Sequence, residues 1–83
     1  MAERAFVLIN TDYGVDDDII VDELKKIEGI SEAYRTYGIY DILVKVEART
    51  IEQIREVVSR KLKNIKNIKS TITMVAIRNG QVE

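Results

Sequence analysis

The sequence predicts an α+β protein with a ferredoxin-like βαββαβ fold, in which two helices cover one face of a four-stranded antiparallel sheet. Two observations lead to this fold class. Strand-like apolar runs and amphipathic helical segments follow one another in the order strand, helix, strand, strand, helix, strand. The segments 27–30 and 65–68 also repeat one helix-to-strand junction, in which a residue tolerant of positive φ lies between two isoleucines. The 83 residues have the length of a single domain.

The first part of the chain predicts a strand, a helix and a second strand. Residues 5–9 form an uninterrupted apolar run that is long enough for a strand and too short for a helix. Residues 16–18 are aspartates that open a helix, because carboxylates complement the positive end of the helix dipole. The apolar stripe of that helix comprises Ile20, Leu24 and Ile27. We expect Gly29 to end the helix as a left-handed cap, and residues 30–36 to form the second strand.

A glycine turn connects the second strand to the third. Gly38 adopts positive φ without a Cβ penalty, so a tight hairpin turn is expected there. The third strand covers residues 42–46, and its core-facing side chains are Ile42, Val44 and Val46.

The last part of the chain predicts a helix and an edge strand. Thr50 and Gln53 have the spacing of a capping box, which places the start of the second helix at about Ile51. We expect Asn67 to cap this helix and residues 68–77 to form the fourth strand. The predicted buried stripe of the helix comprises Ile51, Ile54, Val58, Leu62 and Ile65.

Right-handed crossovers place the first and third strands in the centre of the sheet, giving the strand order 4-1-3-2. Both helices then cover one face. Apolar side chains nevertheless remain for the other face, from the continuous run in the first strand and from Leu43, Val75 and Ile77. We therefore expect a homodimer that packs sheet against sheet, or strand edge against sheet.

Composition excludes several classes of function. The net charge of −1 argues against a broadly basic nucleic-acid binder. Cysteine and histidine are absent, so disulfides, the usual zinc sites and the common nucleophile–base pairs are excluded. No apolar run approaches the roughly 18 residues of a membrane span, which predicts a cytoplasmic protein. Abundant Ile, Lys and Glu without Cys, Pro or Trp favour a thermophile.

The segment 37–41 carries more chemistry than a turn requires. Tyr37 and Tyr40 supply aromatic walls, and Asp41 supplies one fixed negative charge beside the backbone N–H groups of the turn. Such groups suit a small zwitterion, because the carboxylate binds its ammonium and the N–H groups bind its carboxylate. This pattern favours a binding site over an active site.

The chain resembles the C-terminal effector-binding RAM domain of the Lrp/AsnC (feast/famine) transcription regulators over nearly its whole length. Four features carry the resemblance: Gly14 before the first helix, Leu24-x-x-Ile27-x-Gly29-Ile30, Gly38-x-Tyr40-Asp41, and Ile68-x-x-Thr71-x-Thr73. The resemblance implies a ferredoxin-like fold and dimers that assemble into a larger ring. It also implies an amino-acid effector bound between dimers, near the hairpin of one and the last-strand loop of another.

Full-length members of that family begin with a DNA-binding helix-turn-helix domain. Here the first strand starts within a few residues of Met1, so we expect residues 1–83 to be a single stand-alone RAM-like module without a DNA-binding domain. Direct DNA binding is not expected. Co-assembly with full-length Lrp/AsnC regulators is the implied route to transcription regulation.

The resemblance and the turn chemistry together give a set of predicted site residues. Asp41 would pair with the effector ammonium, while the backbone at 38–40 and the hydroxyls of Thr71 and Thr73 orient its carboxylate. The plainer alternatives are an Asx turn at Asp41, a β-branched edge strand, and half-buried strand tyrosines. The predicted ligand-binding residues are Gly38, Ile39, Tyr40, Asp41, Ser70, Thr71 and Thr73, with Tyr34 and Tyr37 as candidate pocket walls.

Two charged clusters have structural explanations. The acidic one lacks the spacing of a calcium loop and is typical of helix capping. The basic one lies near the end of the second helix, where cations complement the dipole. The acidic cluster is Asp12, Asp16, Asp17, Asp18 and Asp22, and the basic cluster is Lys61, Lys63, Lys66 and Lys69.

Two alternatives to an effector-binding module remain open. One is a small dimeric ferredoxin-like enzyme of the monooxygenase or isomerase type, although such sites generally use His, Asn or Trp, and His and Trp are absent here. The other is a ligand-free adaptor that co-assembles with full-length regulators. We predict that the protein is not an enzyme and uses no metal and no cofactor.

Overall fold

The computed structural model describes residues 3–77 and confirms the ferredoxin-like fold. All strand pairs are antiparallel, and the order β2-β3-β1-β4 is the predicted order read from the opposite edge. The second helix continues beyond α2 as a π-helical turn and a 3₁₀ turn, Val57–Lys61 and Leu62–Asn64. The elements are β1 Glu3–Thr11, α1 Asp17–Lys25, β2 Ile30–Arg35, β3 Ile42–Ala48, α2 Ile51–Glu56 and β4 Ile68–Ala76.

The core lies between the sheet and the two helices. Alternate residues of the two central strands point toward the helices and are completely buried, as the period-2 pattern requires. Leu24 of α1 and Ile54 of α2 close over them, together with Leu62. The buried residues of the two central strands are Ala5, Val7, Ile9, Ile42, Val44 and Val46.

The first helix starts as predicted and ends earlier than predicted. The side chain of Asp16 accepts a hydrogen bond from the N–H of Asp18 at 3.0 Å, which is an N-cap. Helix α1 ends at Lys25, and Lys26 closes its last turn in the right-handed region. The prediction that Gly29 is the helix cap is therefore wrong. Its φ of +103° instead forms the turn that enters β2, and Asn67, with φ of +71°, forms the equivalent turn before β4.

The second helix confirms the predicted cap and corrects the predicted stripe. Gln53 donates its N–H to Oγ1 of Thr50 at 3.1 Å. After Glu56 the helix widens into the π-helical turn, which breaks the 3.6-residue period on which the stripe was based. Val57 is buried, whereas Ile51, in the first turn of the helix, is 43% exposed.

The helix-free face carries two contrasting cross-strand rows. We call Tyr34, Leu43, Leu8 and Ile72 the apolar row, because these four residues lie directly opposite one another across all four strands. We call Glu32, Lys45, Phe6 and Met74 the mixed row, which is the next row along the strands on that face. The apolar row is incompletely covered, with Tyr34 51% and Ile72 46% exposed.

The assignment of Val75 to the helix-free face was wrong. Val75 pairs with Ala5 and so shares the face on which the helices pack, where it remains 41% exposed at the sheet edge. Ile77 lies beyond the end of β4. The helix-free face of β4 instead presents Ile72 and Met74, because a register shift at Asn10/Thr11 changes which residues of β4 lie on each face. Among residues 3–77 no helix is both long and apolar enough to cross a membrane.

Candidate functional site

Asp41 ties the hairpin to the central strand. Its N–H donates to the carbonyl of Ile9 and its carbonyl accepts from the N–H of Thr36, both at 2.9 Å. Its Oδ2 accepts from the N–H of Thr11, also at 2.9 Å. These bonds fix the carboxylate at one end of the sheet, and the side-chain bond joins residues far apart in sequence rather than forming a local Asx turn.

The hydroxyl of Thr11 brings two carboxylates together. Its Oγ1 lies 2.8 Å from Oδ1 of Asp17 and 3.2 Å from Oδ2 of Asp41. A hydroxyl has one hydrogen to donate, so the shorter contact to Asp17 takes it. Both carboxylates are half-buried, and within residues 3–77 neither forms an ion pair. Two carboxylates thus lie beside one threonine, an arrangement that suits a bound cation.

A cavity of about 400 Å³ opens over this pair of carboxylates, and we call it the hairpin-end pocket. Its size lies within the range of small-molecule sites. Its charged side chains are three carboxylates and one ammonium, and its apolar rim is formed by two exposed side chains. These six residues are Asp12, Asp17, Asp41, Lys69, Tyr13 and Ile39. The excess of carboxylates suits a ligand with an ammonium group.

The hydroxyls predicted on β4 lie apart from this pocket in the single chain. Thr71 pairs with Ile9 on one side of β1, while Asp41 hydrogen-bonds Ile9 from the other side. Adjacent strands lie about 4.8 Å apart, so Asp41 and Thr71 are separated by roughly 10 Å of sheet. Thr73 lies further along the same face of β4, and Ser70 faces the opposite way beside Asn10. One small ligand therefore does not reach both half-sites of one chain.

The predicted hairpin and its aromatic walls differ from the structure in detail. The connection between β2 and β3 covers residues 36–41 and is not a two-residue turn, although Gly38 has the expected positive φ of +135°. Tyr37 projects fully into solvent, whereas Tyr40 is half-buried and its carbonyl accepts from the hydroxyl of Thr36 at 2.6 Å. Neither of them lines the hairpin-end pocket.

Tyr34 lies on the helix-free face and not at the pocket. Its hydroxyl donates to Oε1 of Glu32, and Lys45 donates to the other carboxylate oxygen at 3.3 Å. The bond from Tyr34, followed by that from Lys45, lowers the pKa of Glu32. The bond to Glu32 raises the pKa of Tyr34.

Sequence reasoning missed most of the residues that line the pocket. Thr11, Asp12, Tyr13 and Asp17 stand in or next to a segment with ordinary turn and capping chemistry, and Lys69 belongs to a helix-end basic cluster. One feature of the sequence could have identified the residues after β1. They are polar residues that directly follow a predicted central strand, where the loop returns over the end of the sheet.

The comparisons with known proteins agree with this fold. A family model described as the Lrp/AsnC ligand binding domain matches residues 4–80. An uncharacterized HTH-type transcriptional regulator of Pyrococcus furiosus, PF0250, is 38% identical over 78 residues, which are 92% of this chain and 52% of that protein. The chain thus spans about half the length of the curated relatives it matches. The Pyrococcus relatives are consistent with the thermophile-type composition.

Two solved structures illustrate the likeness. The hypothetical protein PHS023 of Pyrococcus horikoshii is 32% identical with a TM-score of 0.83, covering 96% of this chain and 94% of that one. The transcriptional regulator NMB0573 of Neisseria meningitidis, solved as a complex with L-Met, has a TM-score of 0.81. It is 11% identical and covers 96% of this chain and 53% of that one, so it shows a shared fold alone. With the family model matching nearly its whole length, the chain belongs to the Lrp/AsnC ligand-binding domain family, whose curated relatives are transcription regulators.

Proposed function

We propose that this domain is an effector-sensing module that binds a free amino acid in the hairpin-end pocket. The observation that carries the proposal is the pair of half-buried carboxylates that Thr11 holds, Asp17 through its hydroxyl and Asp41 through its backbone N–H. Both carboxylates line the same pocket, and an ammonium group is the charge-assisted donor that suits carboxylate acceptors. The NMB0573 structure contains L-Met, which belongs to the same class of ligand as the effector proposed here.

Asp41 is the residue that pairs with the effector ammonium. Oδ2 of Asp41 is already held by the N–H of Thr11, so Oδ1 is the atom that accepts from the ligand. The effector carboxylate is oriented by backbone N–H groups at 38–40 and by hydroxyls of Ser70, Thr71 and Thr73. Because β1 separates Asp41 from Thr71 within one chain, the hydroxyl half-site comes from a neighbouring subunit.

Exposed apolar side chains around the pocket support a site shared between subunits. Tyr13 and Tyr37 are fully exposed, and Ile39 is 86% exposed. Tyr13 and Ile39 line the pocket, and Tyr37 belongs to the same hairpin as Ile39. Large apolar groups gathered at one end of a small domain are typical of a contact surface. Tyr37 and Tyr40 become walls of the site when a second subunit closes over the hairpin.

Assembly is the proposed output of the module. Two copies associate through the helix-free face, whose apolar row is incompletely covered in one chain, and the resulting dimers join at their hairpin ends into a larger ring. An effector bound between dimers favours the assembled state, since a ligand shifts an equilibrium only by its differential affinity for the two states. Co-assembly with full-length Lrp/AsnC regulators then transmits effector level to transcription without direct DNA contact by this domain.

Calorimetric titration with each of the twenty amino acids tests the proposal. We expect at least one to bind, and Asp41→Asn to weaken that binding at least tenfold, because the amide keeps the acceptor for Thr11 while removing the charge. Asp18→Asn is the matched control, since Asp18 is an exposed carboxylate that pairs with Arg35 outside the pocket. No binding by any amino acid, or equal binding by Asp41→Asn, contradicts the proposal.

A ligand-free adaptor is the second candidate function. The apolar row favours it, because this surface promotes association without any ligand. An adaptor predicts the same assembly with and without amino acids, so light scattering in both conditions separates it from a sensor. Catalysis has less support, since the curated relatives are named as regulators rather than enzymes.

A further inference from the structure

The end of the sheet opposite the hairpin carries a second cavity, which we call the far-end pocket. Its volume is about 470 Å³, which lies within the range of small-molecule sites. The residues that line it differ from those of the hairpin-end pocket. Strand β3 runs between the two ends and spans roughly 20 Å at about 3.3 Å per residue, so one small molecule cannot fill both cavities. The lining of the far-end pocket includes Glu28, Gly29, Arg49, Gln53, Val57 and Lys61.

The π-helical turn of the second helix forms one wall of this pocket. Such turns are uncommon, and they occur frequently at functional sites. In a regular α-helix Lys61 would be rotated by about 40° from Val57, because about 3.6 residues complete a turn. The wider π-helical turn brings the two residues closer to one face, and both line the pocket. Val57 packs on Gly29 at the opposite wall, while Nζ of Lys61 extends across to the carbonyl of Glu28.

Three side chains present hydrogen-bond donors to the pocket. Lys61 is half-buried, and its contact with the carbonyl of Glu28, at 3.5 Å, uses one of the ammonium hydrogens and leaves the others. Oε1 of Gln53 accepts from the backbone N–H of Arg49 at 3.0 Å, a role that leaves the amide hydrogens of Gln53 for another partner. Arg49 adds a guanidinium, and within residues 3–77 neither Arg49 nor Lys61 forms an ion pair. This set of donors suits a carboxylate.

Acidic side chains offset only part of the positive charge at this pocket. Glu56 lines the pocket but pairs with Arg60 at 3.9 Å. Glu47 follows the buried Val46 in β3, so its side chain points to the helix-free face and its backbone lines the pocket. Glu28 is the carboxylate that remains to face the lysine and the arginine. The surplus is one positive charge, which one monoanionic ligand neutralises.

We propose that the far-end pocket binds a small organic monocarboxylate that also carries a hydroxyl group, as in a short hydroxy acid. The ligand carboxylate accepts from Lys61, Arg49 and the amide of Gln53, and charge-assisted bonds of this kind are the strong ones. The ligand hydroxyl donates to the carboxylate of Glu28, which offers acceptors alone. Inorganic phosphate brings additional negative charge toward Glu28, and an amino acid is neutral overall, so both match the pocket less well.

An NMR titration of the isotope-labelled protein tests this site, with glycolate as the probe and with inorganic phosphate and glycine as comparison ligands. We expect glycolate to cause saturable shifts of the amide signals at 28–29, 47–49 and 57–61, the segments that line the pocket. We also expect glycolate to bind at least about tenfold more tightly than either comparison ligand.

Three variants link the binding to named side chains. Lys61→Met keeps the stem of the side chain and removes its charge, so it should weaken glycolate binding at least about tenfold. Arg49→Gln should weaken it as well, while the backbone N–H at this position still donates to Gln53. Lys63→Met is the matched control, because Lys63 is exposed two positions further along the same helix and does not line the pocket. It should leave glycolate binding unchanged.

Shifts that rise without saturation, shifts confined to the hairpin end, or equal glycolate binding by Lys61→Met and the wild type overturn the proposal. Equal or tighter binding of phosphate or glycine at the same amides overturns the assignment to a hydroxy acid. An equal loss of binding in Lys63→Met also overturns the proposal, since the general positive charge of the helix, and not the pocket, would then attract the anion.

Discussion

Thr11 donates its backbone N–H to Oδ2 of Asp41 at 2.9 Å, across 30 positions of sequence. The same threonine donates its hydroxyl to Asp17. One residue at the end of β1 thus fixes the hairpin through Asp41 and the start of α1 through Asp17. The pocket between these elements is organised by a strand residue and not by the loop that carries the family motif.

Removing the Thr11 hydroxyl should destabilise the domain and alter its site. Thr11→Val keeps the shape and the backbone donor but leaves Asp17 without its hydrogen bond. We expect a loss of about 1 kcal/mol in the free energy of unfolding, measured by urea denaturation. Thr73→Val, at an exposed strand position, is the control and should change stability by no more than about 0.5 kcal/mol. Equal effects of the two variants would show that the Thr11 hydroxyl has no special role.

Gly29 and Gly14 form a matched pair for testing close packing. Both have positive φ, +103° and +83°, so alanine strains the backbone at either position. A Cβ at Gly29 would also lie 3.0 Å from Cγ2 of Val57, whereas a Cβ at Gly14 would meet nothing within 4 Å. We expect Gly14→Ala to cost about 1 kcal/mol and Gly29→Ala at least about 2 kcal/mol in urea denaturation. A loss of stability in Gly29→Ala that is smaller than the loss in Gly14→Ala would contradict the close approach of Val57.

The helix-free face should control self-association. Ile72→Lys places a charge in the apolar row, and we expect it to shift the protein to monomers at micromolar concentration in sedimentation experiments. Val75→Lys, on the opposite face of the same strand, should leave the assembly of the wild type unchanged. If both variants dissociate the protein, the interface includes the edge of β4 rather than the helix-free face alone.

The Tyr34–Glu32–Lys45 cluster should give stability a pH dependence at both extremes. The lowered pKa of Glu32 contributes stability that is present above its ordinary value of 4.5 and is lost as pH falls through its folded value. The raised pKa of Tyr34 contributes stability that is present below 10.0 and is lost as pH rises through its folded value. Tyr34→Phe should reduce the pH dependence of the free energy of unfolding at both the acid and the alkaline extreme. The measurement is unfolding across pH at fixed protein concentration. An unchanged alkaline limb in Tyr34→Phe would exclude Tyr34 as its source.

The sequence was sufficient for the strand order and for most of the core. Alternating side chains in the central strands and the repeated junction that contains Gly29 and Asn67 depend on local chemistry, which is readable along the chain. The π-helical turn was not predictable, because helical periodicity assumes 3.6 residues per turn. The face of β4 that carries Val75 was assigned wrongly. Both faces of this strand contain apolar side chains, so the sequence does not show which face packs on the helices until the register shift beside Thr11 is known.

Only part of the candidate site was predictable, because some of its contacts join segments that are distant in sequence. Asp41 and Ile39 follow from the turn chemistry, and both line the pocket. Asp17 was assigned to capping because its contact with Thr11 depends on how the loop after β1 returns over the sheet, which pattern reasoning does not give. The separation of Asp41 from Thr71 by β1 could only emerge from the pairing register.

The central position of β1 has a consequence for how the chain is made. Among the four strands of the sheet, β1 is synthesised first, yet one of its two neighbours is β4, the last of the four. Until β4 leaves the ribosome, an apolar central strand has one unpaired edge, which is a template for pairing with other nascent chains. Contacts between the first and last strands are also distant in sequence and slow to form. A ribosome stalled before Ile68 would therefore display an aggregation-prone intermediate, and chaperone demand should be greatest at that point of translation.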